Sequence, residues 1–305
     1  TPSTIRLKQA STITEMRTYA LAFIVLCFCI SNKHKGHHLG HHLALNMKNP
    51  TQSAQYRGSS AKNPYIYTKK TVWMQRISDA VRAGSSLYIQ GSTKLEKVAF
   101  RTQNFDERFG INRTKKDDYL WRKSGKKIVK WIGYFDGKEH VHWVLLLEPG
   151  KEADPSLQSE KWKSVTDHRV THGGYELVKL TKPGAKAPVL TWRYSRERYQ
   201  SLRDEMLALV RLRHDALLKQ WIFSTARTPG FAGSREQIKK LWALLRAEWR
   251  RSRGKSEPLP DIPKNIGYVR RLPDVGAPWA ELIPLTWTRR PPIPKQPQSS
   301  PLHHT

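Results

Sequence analysis

Residues 128–147 read IVKWIGYFDGKEHVHWVLLL. Two runs rich in β-branched and aromatic residues, Ile128 to Phe135 and His140 to Leu147, are joined at Asp136-Gly137, a pair suited to a tight turn because both residues tolerate positive φ. The pattern predicts an antiparallel hairpin. Upstream, Ser86 to Thr93 alternates Leu87 and Ile89 with Tyr88 and Gln90 and reads as another strand. Downstream, Tyr175 to Leu180 and Val189 to Tyr194 read as two more strands separated by a Lys/Pro/Gly loop. Helices are expected around them. Thr71 to Arg82 carries Trp73, Met74, Ile77 and Val81 at helical spacing before Gly84; Leu95 to Phe109 closes at Gly110; Gln158 to Val165 is a third. The fold class implied is α+β, a central antiparallel sheet with flanking helices over residues 86–195, followed by a helical carboxy-terminal region.

That helical, basic region covers 196–256. Arg196 to Arg213 and Asp215 to Phe223 form a continuous helical pattern with Leu202, Met206, Leu209 and Val210 in an apolar stripe. A Ser234 cap then opens a long helix to Arg253, with Ile238, Leu241, Trp242, Leu245 and Trp249 on one face. Residues 257–305 are rich in Pro and read as a linker and disordered tail. Residues 47–85 read as a basic leader and short helix. The composition break at Met47 suggests a start there, with 1–46 an upstream extension. Within that extension Tyr19 to Ile30 has the apolar length of a signal-peptide core, but no small-x-small cleavage site follows. Cys27 and Cys29 are the only cysteines, which excludes a disulfide framework and a zinc site built on two cysteine pairs, and points to a reducing, cytoplasmic setting.

The chain carries 54 Lys+Arg against 25 Asp+Glu, a formal net charge of +29. Setting aside the five Lys/Arg and one Asp/Glu of residues 1–46 leaves 49 against 24, or +25. Such a surface concentrates polyanions and gains affinity by releasing counterions from phosphates, so nucleic acid, and DNA first, is the expected partner. The densest segment is Arg113 to Lys127, expected as an exposed loop. In it Lys115, Lys116, Arg122, Lys123, Lys126 and Lys127 interleave with Tyr119 and Trp121, and only Asp117 and Asp118 offset them. Arg246, Arg250 and Arg251 extend the positive surface, although basic residues in a last turn also suit the helix dipole.

The sharpest chemical pattern is His140-Val141-His142. Side chains two apart on a strand share a face, so both imidazoles can reach one divalent ion. The motif resembles the His-hydrophobe-His motif of the rolling-circle replication initiators and conjugative relaxases, the HUH endonucleases. The resemblance implies Mg or Mn polarising a scissile phosphate of single-stranded DNA, and a helix-borne Tyr attacking it. Tyr199 and Tyr194 are the candidate nucleophiles, with Arg203 or Arg198 neutralising charge on the bound strand. The family places a Lys three residues after its Tyr; here Arg203 follows Tyr199 by four, and Lys179 follows Tyr175 by four. Asp136, Glu148, Asp106 and Glu107 are the carboxylates open for a third ligand.

GYELVKLT, TWRYSRERYQ, TPGFAGSREQIKKLWALLRAEWRR and GYVRRLP resemble segments of proteins of unassigned activity carried on plasmids and integrative elements of proteobacteria, which implies a mobile-element setting. GFAGS, Gly230 to Ser234, reads as a helix cap in preference to a phosphate cradle. The function expected is a DNA-binding protein of a mobile genetic element, with metal-dependent nicking for replication initiation or transfer as its enzymatic form. The alternative is a non-catalytic accessory or regulatory protein binding DNA, or binding RNA by stacking bases on Tyr88, Trp131 and Tyr134.

Overall fold

The hairpin quoted above lies in the middle of a larger sheet, and both of its faces are buried, which explains why its strands are nearly continuous apolar runs. The computed structural model describes residues 62–287 apart from 152–154, 182–183, 185–186 and 255. In chain order the elements are β1 (Tyr65–Tyr67), α1 (Lys70–Arg82), β2 (Leu87–Lys94), α2 (Val98–Phe109), α3 (Lys115–Lys123), β3 (Ile128–Phe135) and β4 (His140–Glu148). There follow β5 (Lys163–Ser164), β6 (Thr171–His172), β7 (Tyr175–Leu180), β8 (Val189–Tyr194), α4 (Arg196–Arg211), α5 (Asp215–Ala226), α6 (Ala232–Arg253), β9 (Gly276–Pro278) and α7 (Trp279–Trp287). The class is α+β, as expected.

Six strands form one sheet in the order β5-β2-β4-β3-β1-β9, and β6-β7-β8 form a second, antiparallel one. The larger sheet is mixed, since β1 runs parallel to β3. Period-two alternation sorts its side chains. Tyr88, Ile132, Tyr134, Val144 and Leu146 face α1 and the second sheet, while Val129, Trp131, Trp143, Leu145 and Leu147 face Phe105 and Phe109 of α2. Tyr88 and Trp131 therefore sit on opposite, covered faces. The Tyr88 ring is buried with its hydroxyl donating to the Arg169 carbonyl at 2.9 Å, so no open sheet face joins Tyr88, Trp131 and Tyr134 for RNA stacking.

Helix α1 is the shared layer between the sheets. Trp73, fully buried on α1, donates from Nε1 to the Ile132 carbonyl of β3 at 3.0 Å; Trp192, fully buried on β8, donates back to the Met74 carbonyl of α1 at 2.9 Å. The other side of the second sheet is closed by α6, whose Ile238, Leu241, Trp242, Leu245 and Trp249 enter the largest apolar cluster. A Cβ on Gly233 would press on the Trp192 carbonyl, and one on Gly230 would strike the Gly267 carbonyl. The glycines of GFAGS thus serve close backbone packing. Phe231 holds the N-cap position, and Ser234 lies inside the helix, donating to the Pro229 carbonyl at 2.6 Å.

Several expectations are corrected. Residues 113–127 do not form a loop: Thr114 and Asp117 make a reciprocal capping box that starts α3. Residues 158–165 hold no helix; a 3-10 turn at Pro155–Leu157 leads to β5, and Trp162 anchors the segment by donating to the Leu157 carbonyl and meeting the Phe109 ring at 5.7 Å. The pattern from Arg196 onward is interrupted at Arg213, which takes φ +59. The tail from 257 is not wholly a linker, because β9 pairs with β1 and Leu282 of α7 packs on Ile66, Val98 and Phe135. Residues 1–46, with the apolar run Tyr19 to Ile30 and the proposed start at Met47, lie outside the described residues, as do 288–305. Among the described residues no helix is long and apolar enough to cross a membrane.

Candidate functional site

The hairpin register places Tyr134 of β3 directly opposite His142 of β4, and their rings stack at 6.3 Å with planes 22° apart. Between the strands Gly137, at φ +79, lets the chain reverse, and Asp136 closes the loop. Its Oδ1 accepts from the Lys138 and His140 amides at 2.9 and 3.4 Å, leaving Oδ2 3.8 Å from His142 Nε2. His172, the last residue of β6, covers this corner. Its ring lies 4.8 Å from both His142 and Trp73, edge to face in each case, and 5.6 Å from Tyr134. Burial, helped by His142 and Lys70 and opposed by Asp136, pushes the His172 pKa down to about 4, so the imidazole is neutral near pH 7. Burial, and next the Asp136 charge, hold the Tyr134 phenol above its ordinary pKa.

The expected metal set meets this geometry only in part. His140 and His142 do share a face of β4, but His142 approaches Asp136 while His140 meets that carboxylate through its backbone amide. Ligands to a divalent ion each lie about 2.0–2.2 Å from it, so the 3.8 Å gap suits two of them. A third does not converge. His172 presents an edge-to-face contact to His142, Glu148 is held by Arg122 at 2.8 Å, Asp106 accepts from the Asn112 amide at 2.7 Å, and Glu107 accepts from Gln103 at 3.0 Å. Among the described residues no group of three or more His, Cys, Asp or Glu is placed to hold a metal.

The expected nucleophiles lie in other surroundings. Tyr194 is buried on β8 with its hydroxyl 2.7 Å from Thr228 Oγ1 and 3.2 Å from the Tyr175 hydroxyl. Tyr199 on α4 packs against the large core and lies within electrostatic reach of Lys240. Arg203 pairs with its neighbour Asp204 at 3.2 Å. The tyrosine beside His142 is Tyr134. The ends of the two runs, Phe135 and His140, would set residue 134 against 141; the chain instead pairs Asp136 with His140 around a three-residue loop, and that one-residue shift brings Tyr134 opposite His142.

The basic segment stands out differently. α3 buries none of its residues, and Tyr119 is 64% exposed on it. Trp121 is covered by Arg113 at 4.0 Å and Lys126 at 5.5 Å, and Arg113 also pairs with Asp118 at 3.2 Å. Arg122 is neutralised by a two-pronged contact with Glu148. Lys116, Lys123 and Lys126 form no ion pair among the described residues, and Lys115 and Lys127 complete the basic segment beside them. On α6, Arg251 is paired with Glu248 at 2.6 Å, whereas Arg246 and Arg250 form no ion pair among the described residues. The terminal cluster is partly architectural, since buried Arg253 donates to the Val210 carbonyl, Asp215 and Glu257.

Comparison with protein-family models, with curated proteins and with solved structures found no match.

Proposed function

We propose that this protein binds DNA in the service of a mobile genetic element, holding the phosphate backbone on α3 and on the Arg246–Arg250 face of α6. The observation that carries the reading is α3 itself: it contributes nothing to the core, yet presents Lys116 and Lys123 without ion-pair partners around an exposed Tyr119. Folding does not require that combination. A strand's phosphates would replace the missing counter-charges, and the Tyr119 ring offers a base a stacking face. The mobile-element setting rests on the segment resemblances. Reversing the charge of Lys115, Lys116, Lys126 and Lys127 together should weaken binding to unrelated oligonucleotides equally, because phosphate contacts position without reading sequence. Equal binding by the reversed variant would remove the 115–127 segment from the interface.

A second reading, nicking of single-stranded DNA, is favoured by the stacking of Tyr134 on His142 beside Asp136. In it the Tyr134 oxygen bonds phosphorus, the strand's bridging P–O bond breaks, His142 takes the phenolic proton, and solvent protonates the leaving hydroxyl. An adduct formed with Mg or Mn by the wild type and lost in Tyr134→Phe supports it. An adduct that survives in Tyr134→Phe and disappears in Tyr199→Phe or Tyr194→Phe returns the nucleophile to those positions.

A further inference from the structure

Two helices begin beside one tight turn. Lys70 is the first residue of α1, Arg198 lies in the first turn of α4, and both flank Gly173-Gly174, the turn between β6 and β7. The two glycines take φ +54 and +78, a region that side chains with a Cβ rarely adopt. A Cβ on Gly173 would stand 3.6 Å from Lys70 Nζ, and one on Gly174 would press on Arg198 Cγ at 3.0 Å. The Ser195 amide donates to the Gly174 carbonyl at 2.9 Å, which pins the start of α4 to the turn. Lys70 Nζ also sits 5.1 Å over the Tyr175 ring.

Neither cation has a carboxylate at ion-pair distance among the described residues. The neighbouring acids are otherwise engaged: Asp136 holds the hairpin amides and faces His142, and Glu197 hydrogen-bonds Ser195 at its own helix start. Glu205 is close enough to feel Arg198 but makes no ion pair with it. The first turn of α1 contains no acid at all. Burial, and then the Arg198 charge, lower the pKa of Lys70, so the two cations repel. Both also stand at the positive ends of helix dipoles, where an anion is favoured and a cation is not. Like charges kept together in half-buried positions with no carboxylate in ion-pair contact, Glu205 offsetting only Arg198 and at longer range, destabilise the free protein, and an oxyanion between them would relieve that repulsion.

We propose that Lys70 and Arg198, flanking the Gly173-Gly174 turn, form a site for a phosphate group. This does not depend on the DNA reading, since a phosphorylated small molecule and the phosphate of a nucleic-acid strand offer the same chemistry. The test is thermal melting in phosphate-free buffer at constant ionic strength, with inorganic phosphate added against chloride. The wild type should gain about 2–4 °C at roughly ten times the dissociation constant. Lys70→Met and Arg198→Gln should each lose that shift, and Lys70→Met should melt no lower than the wild type without phosphate, because it removes the repulsion and leaves Arg198 beside Glu205. Line broadening of the inorganic phosphate ³¹P resonance by the wild-type protein gives the same answer without relying on a variant's folding. A 5′-phosphorylated oligonucleotide preferred over its 5′-hydroxyl twin, with the preference lost in Lys70→Met, assigns the site to a strand end; phosphate binding without that preference assigns it to a free phosphate compound. No phosphate-specific shift and no broadening in the wild type, or a shift retained in both variants, overturns the proposal and leaves DNA binding on α3 standing.

Discussion

His172 combines a neutral imidazole, two aromatic neighbours and a second histidine in one covered corner. Its folded pKa is depressed to about 4 from an ordinary 6.5, so between those values the unfolded chain binds more protons than the folded one. Stability attributable to this residue is therefore complete above about pH 6.5 and declines as the pH falls toward 4, by at most about 2–3 kcal/mol once solvent screening is allowed for. Urea melts across that window should show the decline, and His172→Phe should flatten it. A wild-type curve unchanged between pH 6.5 and 4.5 would contradict the burial argument. At this scale the sequence was only partly legible. The shared face of His140 and His142 follows from strand alternation, whereas Tyr134 opposite His142 does not follow from the run ends, because Asp136 and His140 also pair and shift the register by one residue. His172 does not follow either, because it comes from the second sheet, and no local pattern states which segment will fold over the hairpin.

The helix α3 shows why charge density misleads about secondary structure. Lys, Asp and Arg are ordinary helix surface residues, and the cue that mattered was Thr114 three residues before Asp117, which satisfies two orphan amide ends at once. Thr114→Ala should cost about 1 kcal/mol of local helix stability. Because α3 buries nothing, the global unfolding midpoint should barely move, while DNA affinity falls; hydrogen exchange of α3 amides and a binding titration read the two effects separately. A large loss of global stability would mean that α3 packs more tightly than its exposure indicates. The expected helix at 158–165 failed for the converse reason: the anchoring of Trp162 on Phe109 is a tertiary contact that overrides the local pattern.

Across the whole molecule, the two sheets are tied through α1 by two indole hydrogen bonds from fully buried tryptophans. Trp192→Ala removes both the packing and the bond to Met74 and should cost about 3–5 kcal/mol in chemical denaturation; a change under about 1 kcal/mol would show that α1 does not couple the layers. The strand runs of the central hairpin and of β7 and β8 were readable because their apolar pattern is dense. The parallel pairing of β1, and β9 and α7 within a Pro-rich stretch, were hidden because three-residue strands carry too little pattern, and their partners are distant in the chain. Net charge belongs to this scale as well, and the proposed DNA binding rests on it: lysines and arginines without ion-pair partners attract phosphates. The direct measurement is affinity for a DNA oligonucleotide as salt is raised from about 50 to about 200 mM. With six or more phosphates contacted, binding should weaken on the order of a thousandfold, and the protein with Lys115, Lys116, Lys126 and Lys127 reversed should show a shallower slope. An affinity that hardly changes with salt, in either protein, would contradict the account.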